Sequence, residues 1–499
     1  MENEEYLQRI LSEPIVSEAK YISKLQQIIL DSNNDNFEEN LDYLLSSNFV
    51  ASKERVLQIA HIICACLDIS IHRMPILVNL TLSISKHLRE ELFDVYKSYF
   101  LNNFMITKIG SQTGYHFARF KFTRLLVDNK FFEIQEINEK IKYSVEFASH
   151  QTELHFFLLL WFADFIYQDQ DLFKKMSREA SDMSKSHFPK TTLQAYRNFT
   201  KMEKNKNFDQ IDFLAKNGYE KNSIQYLIKS DMLEEFSFQT SSQDIDFYKI
   251  VPDSFYEIHD IIHLQTSYVA FAAFYGAIRI FKYIMTDTSQ KFVKSNYAAG
   301  FKPLIYYGIC GGNFEIIRYI LNNSPYVFRS PKYAAQFFRY DIFEWLKDDK
   351  GANFSSVMHV SCKANNVSAL MYTIGLEHPV NQVIHGYAPI HYAAINGNCD
   401  CLRILLSHDN IDVNLKNSDG VHMFIVHKTA LHFAVLSKNI DAVKLLISDP
   451  NISINIQDQA YHSPLHLAVR EIQEDIVKLL LDDPRIMISI RNIIFFNFL

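Results

Sequence analysis

The 499-residue sequence is poor in several features, and each shortage excludes a class of protein. Six cysteines are too few for a disulfide-stapled scaffold, and the Cys-x-Cys pairs that begin at Cys64 and Cys399 each lack the second pair that a closed zinc site needs. With 50 basic and 57 acidic residues, the net charge of −7 offers no basic surface for phosphate neutralisation. We therefore expect reduced, buried thiols and no nucleic-acid partner.

Long apolar runs and recognisable catalytic motifs are also missing. The longest apolar block, Phe156 to Ala163, is far shorter than the ~20 residues that cross a bilayer. The acidic start of the chain lacks the apolar core of a signal peptide. The sequence contains no phosphate-binding glycine loop, nucleophile elbow or kinase catalytic loop. These absences predict a cytoplasmic protein without a membrane span, a cofactor or an enzymatic activity.

Glycine and proline are scarce in the first part of the chain. Only Gly110 and Gly114 precede residue 218, whereas the other 11 of the 13 glycines lie between Gly218 and Gly420. Apolar residues recur every three to four positions in this first part, which is typical of helices with one face in a core. Residues 189–207, rich in lysine, threonine and asparagine, are predicted to be the first boundary between regions. The sequence thus predicts a helical half followed by a turn-rich half.

The second half contains an internal repeat that is clear in three stretches. Each carries a short motif with a histidine in its fourth position: Ala388-Pro-Ile-His391, Thr429-Ala-Leu-His432 and Ser463-Pro-Leu-His466. After each histidine come small or apolar residues, a turn, an apolar helix, and then a polar turn with a short apolar run. Successive histidines are 41 and 34 residues apart.

This pattern resembles the ankyrin repeat, a unit of about 33 residues in which a β-turn and two antiparallel helices carry the signature Thr-Pro-Leu-His-x-Ala. The match is clearest at residues 386–418, 428–458 and 462–492. The same frame places weaker copies upstream, with turns at residues 276, 312, 338, 365, 397, 438 and 472. The resemblance implies an all-α fold, in which a helical N-terminal region leads into an ankyrin-repeat α-solenoid with short β-hairpin fingers.

A narrower resemblance covers residues upstream of the clear repeats. The stretches around Ala215, Ser223 and Tyr268 are similar to a family of protist proteins that joins an N-terminal domain of unknown function to C-terminal ankyrin repeats. Three regions follow from this resemblance. They are a helical region of unknown function at 1–205, a family-specific helical domain with degenerate helix pairs at 206–350, and ankyrin repeats at 351–499.

Several residues of the repeat motif are expected to be structural. The resemblance implies that the three motif histidines brace the hairpins through hydrogen bonds, and the two prolines fall where a helix needs no backbone donor. One such histidine per repeat also leaves the three too far apart to share a metal ion. The predicted structural positions are His391, His432, His466, Gly397, Pro389 and Pro464.

Partner contacts are expected on exposed positions of the repeats. In ankyrin proteins, partners usually dock on the concave surface formed by the finger tips and the first helices. The candidate finger-tip residues are Asn417, Ser418, Asp419, Gln457, Asp458 and Gln459. The candidates at the ends of the first helices are Ile395, Asn396, Ser437, Lys438, Arg470 and Glu471. The alternative is that all of these are ordinary solvated turn residues.

Two apolar segments depart from the repeat frame. The apolar segment Met423 to Val426 follows Gly420, within the 41 residues that separate His391 from His432. It is interpreted as a contact loop, a neutral insertion or an error in the gene model. Residues 493–499 are almost all apolar where the frame requires a turn and another motif. That tail suggests a truncated chain or an aggregation hazard, because solenoids need a polar terminal cap.

The sequence favours a non-catalytic scaffold or adaptor that binds an unidentified protein partner. One alternative is an exported or host-directed ankyrin effector, and another is a drifting gene without a partner. A third is an enzyme with a site in the helical half, where His259 and His263 lie four residues apart and could bind zinc. Asp260 stands where the metalloprotease pattern has glutamate, and no third ligand is evident.

Overall fold

The structure is a computed structural model, and its described residues form two compact units, each treated separately below. The described residues are 11–33, 35–46, 48–67, 73–104, 117–147, 152–183, 190–204, 208–241, 245–252, 254, 256–257, 262, 266–292, 302–323, 330–347, 352–418 and 427–490. We call residues 28–325 the helical unit, and residues 1–27 with 326–499 the repeat unit. No helix within the described ranges is long and apolar enough to cross a membrane.

The first helix, α1 at Glu13–Asp31, contributes residues to both units. The helices that follow it in the helical unit are α2 (Phe37–Ser46), α3 (Lys53–Leu67), α4 (Met74–Ser85), α5 (Glu90–Asn103), α6 (Phe117–Asp128), α7 (Ile134–Phe147), α8 (Thr152–Ile166), α9 (Gln170–Met183), α10 (Lys190–Lys204), α11 (Asp209–Asn217), α12 (Ile224–Lys229), α13 (Leu233–Ser241), α14 (Tyr268–Phe274), α15 (Ile278–Phe292), α16 (Leu304–Gly311) and α17 (Phe314–Asn322). A short 3₁₀ helix occupies Asn48–Val50. The prediction of a helical first half is confirmed.

Helix α10 occupies most of residues 189–207, the segment predicted as the first boundary between regions. Phe199 and Met202 are buried and lie three residues apart, as neighbours on one face of a helix do. Lys201 and Lys204 occupy the last turn, where the helix dipole favours cations. The buried apolar face therefore stabilises a helix here, although the segment is rich in polar residues.

The core of the helical unit is aromatic around helices α6 and α8. Trp161 on α8 is fully buried and stacks on Phe117 of α6, with ring centroids 5.4 Å apart. Phe120 meets the same indole edge to face at 6.0 Å. Such pairs stabilise a core beyond the area they bury.

A buried cation, Arg124 on α6, ties three helices together. Its guanidinium donates to both carboxylate oxygens of Asp164 on α8, at 2.6 and 2.8 Å, and to Asp212 on α11 at 2.8 Å. It also donates to the Trp161 carbonyl at 2.6 Å. Burial alone would lower the pKa of Arg124, but the two carboxylates outweigh it and raise that pKa. The charge is therefore kept, and its loss would leave buried acceptors unpaired.

The repeat unit continues the chain as a series of short helix pairs. Its helices after α1 are α18 (Ser330–Gln336), α19 (Tyr340–Lys347), α20 (Val357–Ala364), α21 (Val367–Gly375), α22 (Pro389–Asn396), α23 (Cys399–Leu406), α24 (Ala430–Leu436), α25 (Ile440–Ile447), α26 (Pro464–Arg470) and α27 (Glu474–Leu481). In the described residues the fingers between pairs are turns, with a single isolated bridge between Ile384 and Tyr387. The all-α architecture expected from the sequence is confirmed.

Seven successive helix pairs, from α14/α15 to α26/α27, turn where the repeat frame predicts. All seven predicted turn residues have positive φ, between 51° and 76°, so the placement of the turns is confirmed. The first two pairs belong to the helical unit and the other five to the repeat unit. At Gly397, a Cβ would lie 1.9 Å from Nδ2 of Asn439, so a larger residue would have to displace that side chain.

An asparagine next to the turn links neighbouring helix pairs. Asn366 begins α21, accepts a hydrogen bond from the N–H of Ala369 at 3.0 Å, and donates to the carbonyl of Ala335 at 2.8 Å. Asn398 donates in the same way to the Cys362 carbonyl at 2.8 Å. Each side chain satisfies groups that a helix end leaves unpaired, and it fixes the spacing of the stack.

The start of the chain belongs to the core of the repeat unit. Leu11, Val16 and Ile22 are buried in one apolar cluster with the helix pairs. Gln26 completes the contact, since its amide donates to the carbonyl of Asn365 at 2.7 Å and accepts from the N–H of Val367 at 3.3 Å. The N-terminal segment is therefore part of the repeat core, although no sequence pattern indicates it.

None of the six cysteines forms a disulfide, and all except Cys399 are buried. The burial expected for the thiols is thus found for five of the six.

Candidate partner-binding surface

Each motif histidine anchors the first helix of its pair. In His391, Nδ1 accepts from the N–H of Ala388 at 3.0 Å, and Nε2 lies 2.8 Å from the carbonyl of Leu415 in the next finger. In His432, Nδ1 accepts from the N–H of Thr429 at 3.1 Å, and Nε2 lies 3.0 Å from a finger carbonyl. Because Nδ1 accepts a hydrogen bond in each ring, the proton of the neutral imidazole is on Nε2. The Nε2–H group therefore donates a hydrogen bond to the finger carbonyl.

Burial keeps these two rings neutral. It lowers the pKa of His391 to about 4 and that of His432 to about 4, because the imidazolium would lose its hydration. His466 stands at the same position of α26, where Nδ1 accepts from the N–H of Ser463 at 3.1 Å. The three rings lie one per helix pair. Pro389 and Pro464 are the first residues of α22 and α26.

Asn417 and Asp458 do not lie at exposed finger tips, so the expected exposure of these two residues is wrong. They are only 2% and 5% exposed. Asn417 accepts from the backbone N–H of Lys428 at 2.7 Å, whereas Asp458 accepts from the N–H groups of Ala460 and His462, both at 2.9 Å. Short carboxylate and amide side chains are favoured in tight turns because they satisfy such backbone donors. Both residues therefore shape the fingers from inside.

A buried ion pair connects two neighbouring fingers. The ammonium group of Lys428 donates to Asp458, and both residues are almost fully buried. Burial works to raise the pKa of Asp458, but the hydrogen bond and charge of Lys428 outweigh it and lower that pKa. The pair therefore links the residue before the Thr429 motif to the next finger.

The remaining candidates are accessible to a partner. Ser418, Gln459, Ser437, Lys438 and Arg470 are exposed. The other candidates are half-buried, and they are Ile395, Asn396, Gln457 and Glu471. The structure therefore brings most of the predicted contact residues to the surface of the first helices and fingers.

Several sequence-based candidates lie outside the described residues. These are Asp419, the apolar segment Met423–Val426, the pair His259 and His263, and the tail 491–499. Within the described ranges, no group of three His, Cys, Asp or Glu side chains is placed to hold a metal ion.

The structure contains an aromatic patch that the repeat motif does not indicate. Tyr387, in the finger before α22, lies 5.5 Å from Tyr392 on α22 and 5.6 Å from Phe433 on α24, measured between ring centroids. Both tyrosines are half-buried, and neither hydroxyl bonds to a residue that the structure describes. The signal available in the sequence is the residue after each motif histidine, which is aromatic at Tyr392 and Phe433.

We call the exposed and half-buried residues of the first helices α20, α22, α24 and α26, together with their preceding fingers, the inner face. Consecutive first helices pack on one another, as do second helices α21, α23, α25 and α27. We call the second helices and the loops that follow them the outer layer. The aromatic patch and the accessible candidates belong to the inner face.

Comparison with known families identifies the repeat. Residues 332–417 and 419–492 match a family model described as ankyrin repeats (3 copies), and residues 390–447 match one described as ankyrin repeats (many copies). The chain thus has ankyrin repeats at its C-terminal end and a helical region before them. No curated protein matches the chain.

Proposed function

We propose that this chain, whose C-terminal part carries ankyrin repeats, is a non-catalytic scaffold or adaptor that holds one protein partner on its inner face. Ankyrin repeats indicate a protein–protein interaction module. The observation that carries the proposal is the aromatic patch of Tyr387 and Tyr392. Half-buried tyrosines with free hydroxyls supply apolar area and a hydrogen-bond donor together, as the anchor residues of interfaces do.

The proposal assigns roles to the predicted contact residues. We assign the exposed residues Ser418, Gln459, Lys438 and Arg470, and the half-buried Gln457, Asn396 and Glu471, to the polar rim of the interface. The buried residues Asn417 and Asp458 hold the fingers in position beneath that rim. We also propose Asp419, which lies outside the described residues, as a contact residue.

The proposal also covers the whole chain. We propose a cytoplasmic protein that binds no nucleic acid, and whose helical region is the unknown-function domain of the protist family. The helical region would supply a second contact or an oligomer interface. Its buried Arg124 network and aromatic core form a stable support for such a contact.

Affinity capture from the lysate of the native cell tests the proposal with a matched pair of variants. Ser437 ends α24 on the inner face and Ser448 ends α25 in the outer layer. Both are exposed, and both donate a hydroxyl to the carbonyl three residues earlier, at 3.1 and 2.7 Å. Ser437 also lies 3.2 Å from the carbonyl of Ala394 on α22, so the fold of its variant must be checked. We expect the wild type and Ser448→Arg to capture the same partner, and Ser437→Arg to lose it.

Circular dichroism of both variants checks that they fold. Equal capture by folded Ser437→Arg would place the binding site away from the inner face. The absence of any specific partner with all three baits would contradict the scaffold function.

A further inference from the structure

The last described helix pair, α26/α27, exposes apolar side chains at positions that the earlier pairs bury. Val469, three residues after the motif histidine, is 58% exposed, whereas Ala394 and Val435 at the same position of α22 and α24 are fully buried. Ile488 is 75% exposed, whereas Ile454 at the same position of the previous finger is 2% exposed. The earlier positions are covered because a following helix pair packs against each of those pairs.

Two further positions of the last pair show the same change to a smaller degree. Leu465 and Val477 are half-buried, whereas Leu431 and Val443 at the corresponding positions of α24 and α25 are fully buried. Since the corresponding side chains are covered in the earlier pairs, the exposed positions mark the side of α26/α27 that a following pair would cover. We call these four residues the stack-end face, and they are Leu465, Val469, Val477 and Ile488. An exposed apolar face of this kind requires an apolar cover.

The segment that follows the last finger has the composition of such a cover. Residues 491–499 read Arg-Asn-Ile-Ile-Phe-Phe-Asn-Phe-Leu, so six of the last seven are apolar. Nine residues of extended chain reach about 30 Å, whereas packed helices lie about 8–10 Å apart. Starting from Ile490, the segment is therefore long enough to cross both helices of the pair.

The repeat frame leads the segment towards the same place. The last two motif histidines are 34 residues apart, and an equal step from Leu465 leads to Leu499. Leu465 belongs to α26, which packs on α24, the helix that carries Val435. By the same step, Leu499 takes the position in the frame that follows α26, the helix that carries Val469.

We propose that residues 491–499 fold over the stack-end face and take the place of a following helix pair. Their apolar side chains cover Val469 and Ile488, so the repeat unit is closed here by an apolar cap from its own chain. The segment then contributes to the fold, and it is not the aggregation hazard that its composition suggests. Without this cap, the face would be open to stacking on a second copy of the chain. The inference is independent of the proposed function, because the stack-end face and the aromatic patch share no residue.

Photo-crosslinking in the full chain tests the inference. The photoreactive amino acid p-benzoylphenylalanine replaces Phe496 in one protein and Phe238 in a control, because Phe238 lies on α13 of the helical unit and is 82% exposed. We expect the probe at 496 to give a monomer-sized product joined to the tryptic peptides 445–470 or 471–478, which contain Val469 and Val477. The probe at 238 should give no product with these peptides.

The other results of this experiment overturn the inference. A dimer-sized product with the same peptides would show that residues 491–499 cover the face of a second copy. Products confined to other peptides, or no product at all, would show that the segment does not lie on the stack-end face.

Charged variants of the face locate the contact. Val469→Asp with Ile488→Asp should lower the yield of the monomer-sized product about tenfold, because an apolar cover would bury two unpaired carboxylates. Phe238→Asp is the matched control and should leave the yield unchanged. Both substituted residues of the face are exposed in the described structure, and circular dichroism checks that the variant folds. An unchanged yield in the folded double variant overturns the inference.

Deletion of residues 491–499 gives an independent measurement with the dye 8-anilinonaphthalene-1-sulfonate, which fluoresces on exposed apolar surface. We expect the deletion to raise the fluorescence, because it uncovers the stack-end face, and Val469→Asp with Ile488→Asp to abolish the rise. If the segment is itself exposed, its removal lowers the fluorescence. A lower or an unchanged signal therefore overturns the inference.

Discussion

The imidazole of His391 connects the start of its own helix to a finger carbonyl 24 residues further along the chain. Nδ1 accepts from the N–H of Ala388 at 3.0 Å, while Nε2 donates to the carbonyl of Leu415 at 2.8 Å. One neutral side chain therefore sets the position of a finger relative to a first helix. Because the fingers and first helices form the inner face, this bond supports the surface to which we assign partner binding.

Replacing His391 should destabilise the repeats markedly. His391→Ala leaves the buried N–H of Ala388 and the half-buried carbonyl of Leu415 unpaired and opens a cavity, so we expect the free energy of unfolding to fall by about 2–4 kcal/mol. Urea denaturation followed by circular dichroism measures it. His466→Ala is the matched control, because Nε2 of His466 makes no hydrogen bond to a described residue. A smaller loss, about 1 kcal/mol, is expected there. Equal losses of stability in the two variants would show that the hydrogen bond from Nε2 to the finger carbonyl is not the cause.

Acid should destabilise the repeats through the buried histidines. The pKa of His391 and of His432 falls to about 4 in the folded state, against about 6.5 when unfolded. The unfolded chain therefore binds protons first, and stability is complete above pH 6.5 and decreases as the pH falls towards 4. Each ring contributes on the order of 3 kcal/mol over that range. The urea midpoints measured at pH 7.5 and pH 5 should differ less for His391→Gln than for the wild type. If the difference is the same in both, protonation of His391 is not a cause of the acid sensitivity.

Placing an asparagine at the start of the last second helix, as in earlier helix pairs, should stabilise the chain. Gln473 occupies the position of Asn366 and Asn439, but both polar atoms of its buried amide lack a hydrogen-bond partner in the described residues. Asn439 instead accepts from the N–H of Ala442 at 2.8 Å. Gln473→Asn should therefore raise the free energy of unfolding by about 0.5–2 kcal/mol. The reciprocal Asn439→Gln should lower it by a similar amount in the same thermal melts. If neither substitution changes the free energy of unfolding, the asparagine cap makes no contribution to stability.

Loss of the buried guanidinium should destabilise the helical unit. Arg124→Ala leaves the buried Trp161 carbonyl and the Asp164 carboxylate without their donor, and we expect a loss of about 3–5 kcal/mol in the free energy of unfolding. Lys216→Ala is the control, because Lys216 pairs with Asp212 at 2.9 Å in a more exposed setting. It should cost at most about 1 kcal/mol. Chemical denaturation of both variants measures the two losses, and comparable losses would contradict the role of burial.

The periodic features of the fold can be predicted from the sequence, because the clear copies of the repeat predict where the turns of the weaker copies lie. Phe338 and Ile472 are poor residues for positive φ, yet each adopts it, at 51° and 53°. Their positions in the frame predict the turn correctly where residue type alone would not. Helix α10 lies in the polar segment predicted as a boundary, and its buried face becomes evident only in the folded unit.

Contacts between distant segments could not be predicted in this way. The amide of Gln26 bonds to the carbonyl of Asn365, 339 residues away, and no period or motif connects the two. Asn417 and Asp458 have the polar character of exposed finger residues, and only the bonds to neighbouring N–H groups show that they point inward. Tyr387 and Tyr392 become a patch only when finger and helix meet.

Hydrogen–deuterium exchange of the chain, with and without its captured partner, tests the central claim most directly. If the inner face holds the partner, amides in α22, α24 and the finger at residues 384–388 gain protection, while those in α23 and α25 exchange as before. Protection confined to α23 and α25, or to the helical unit, would contradict the account.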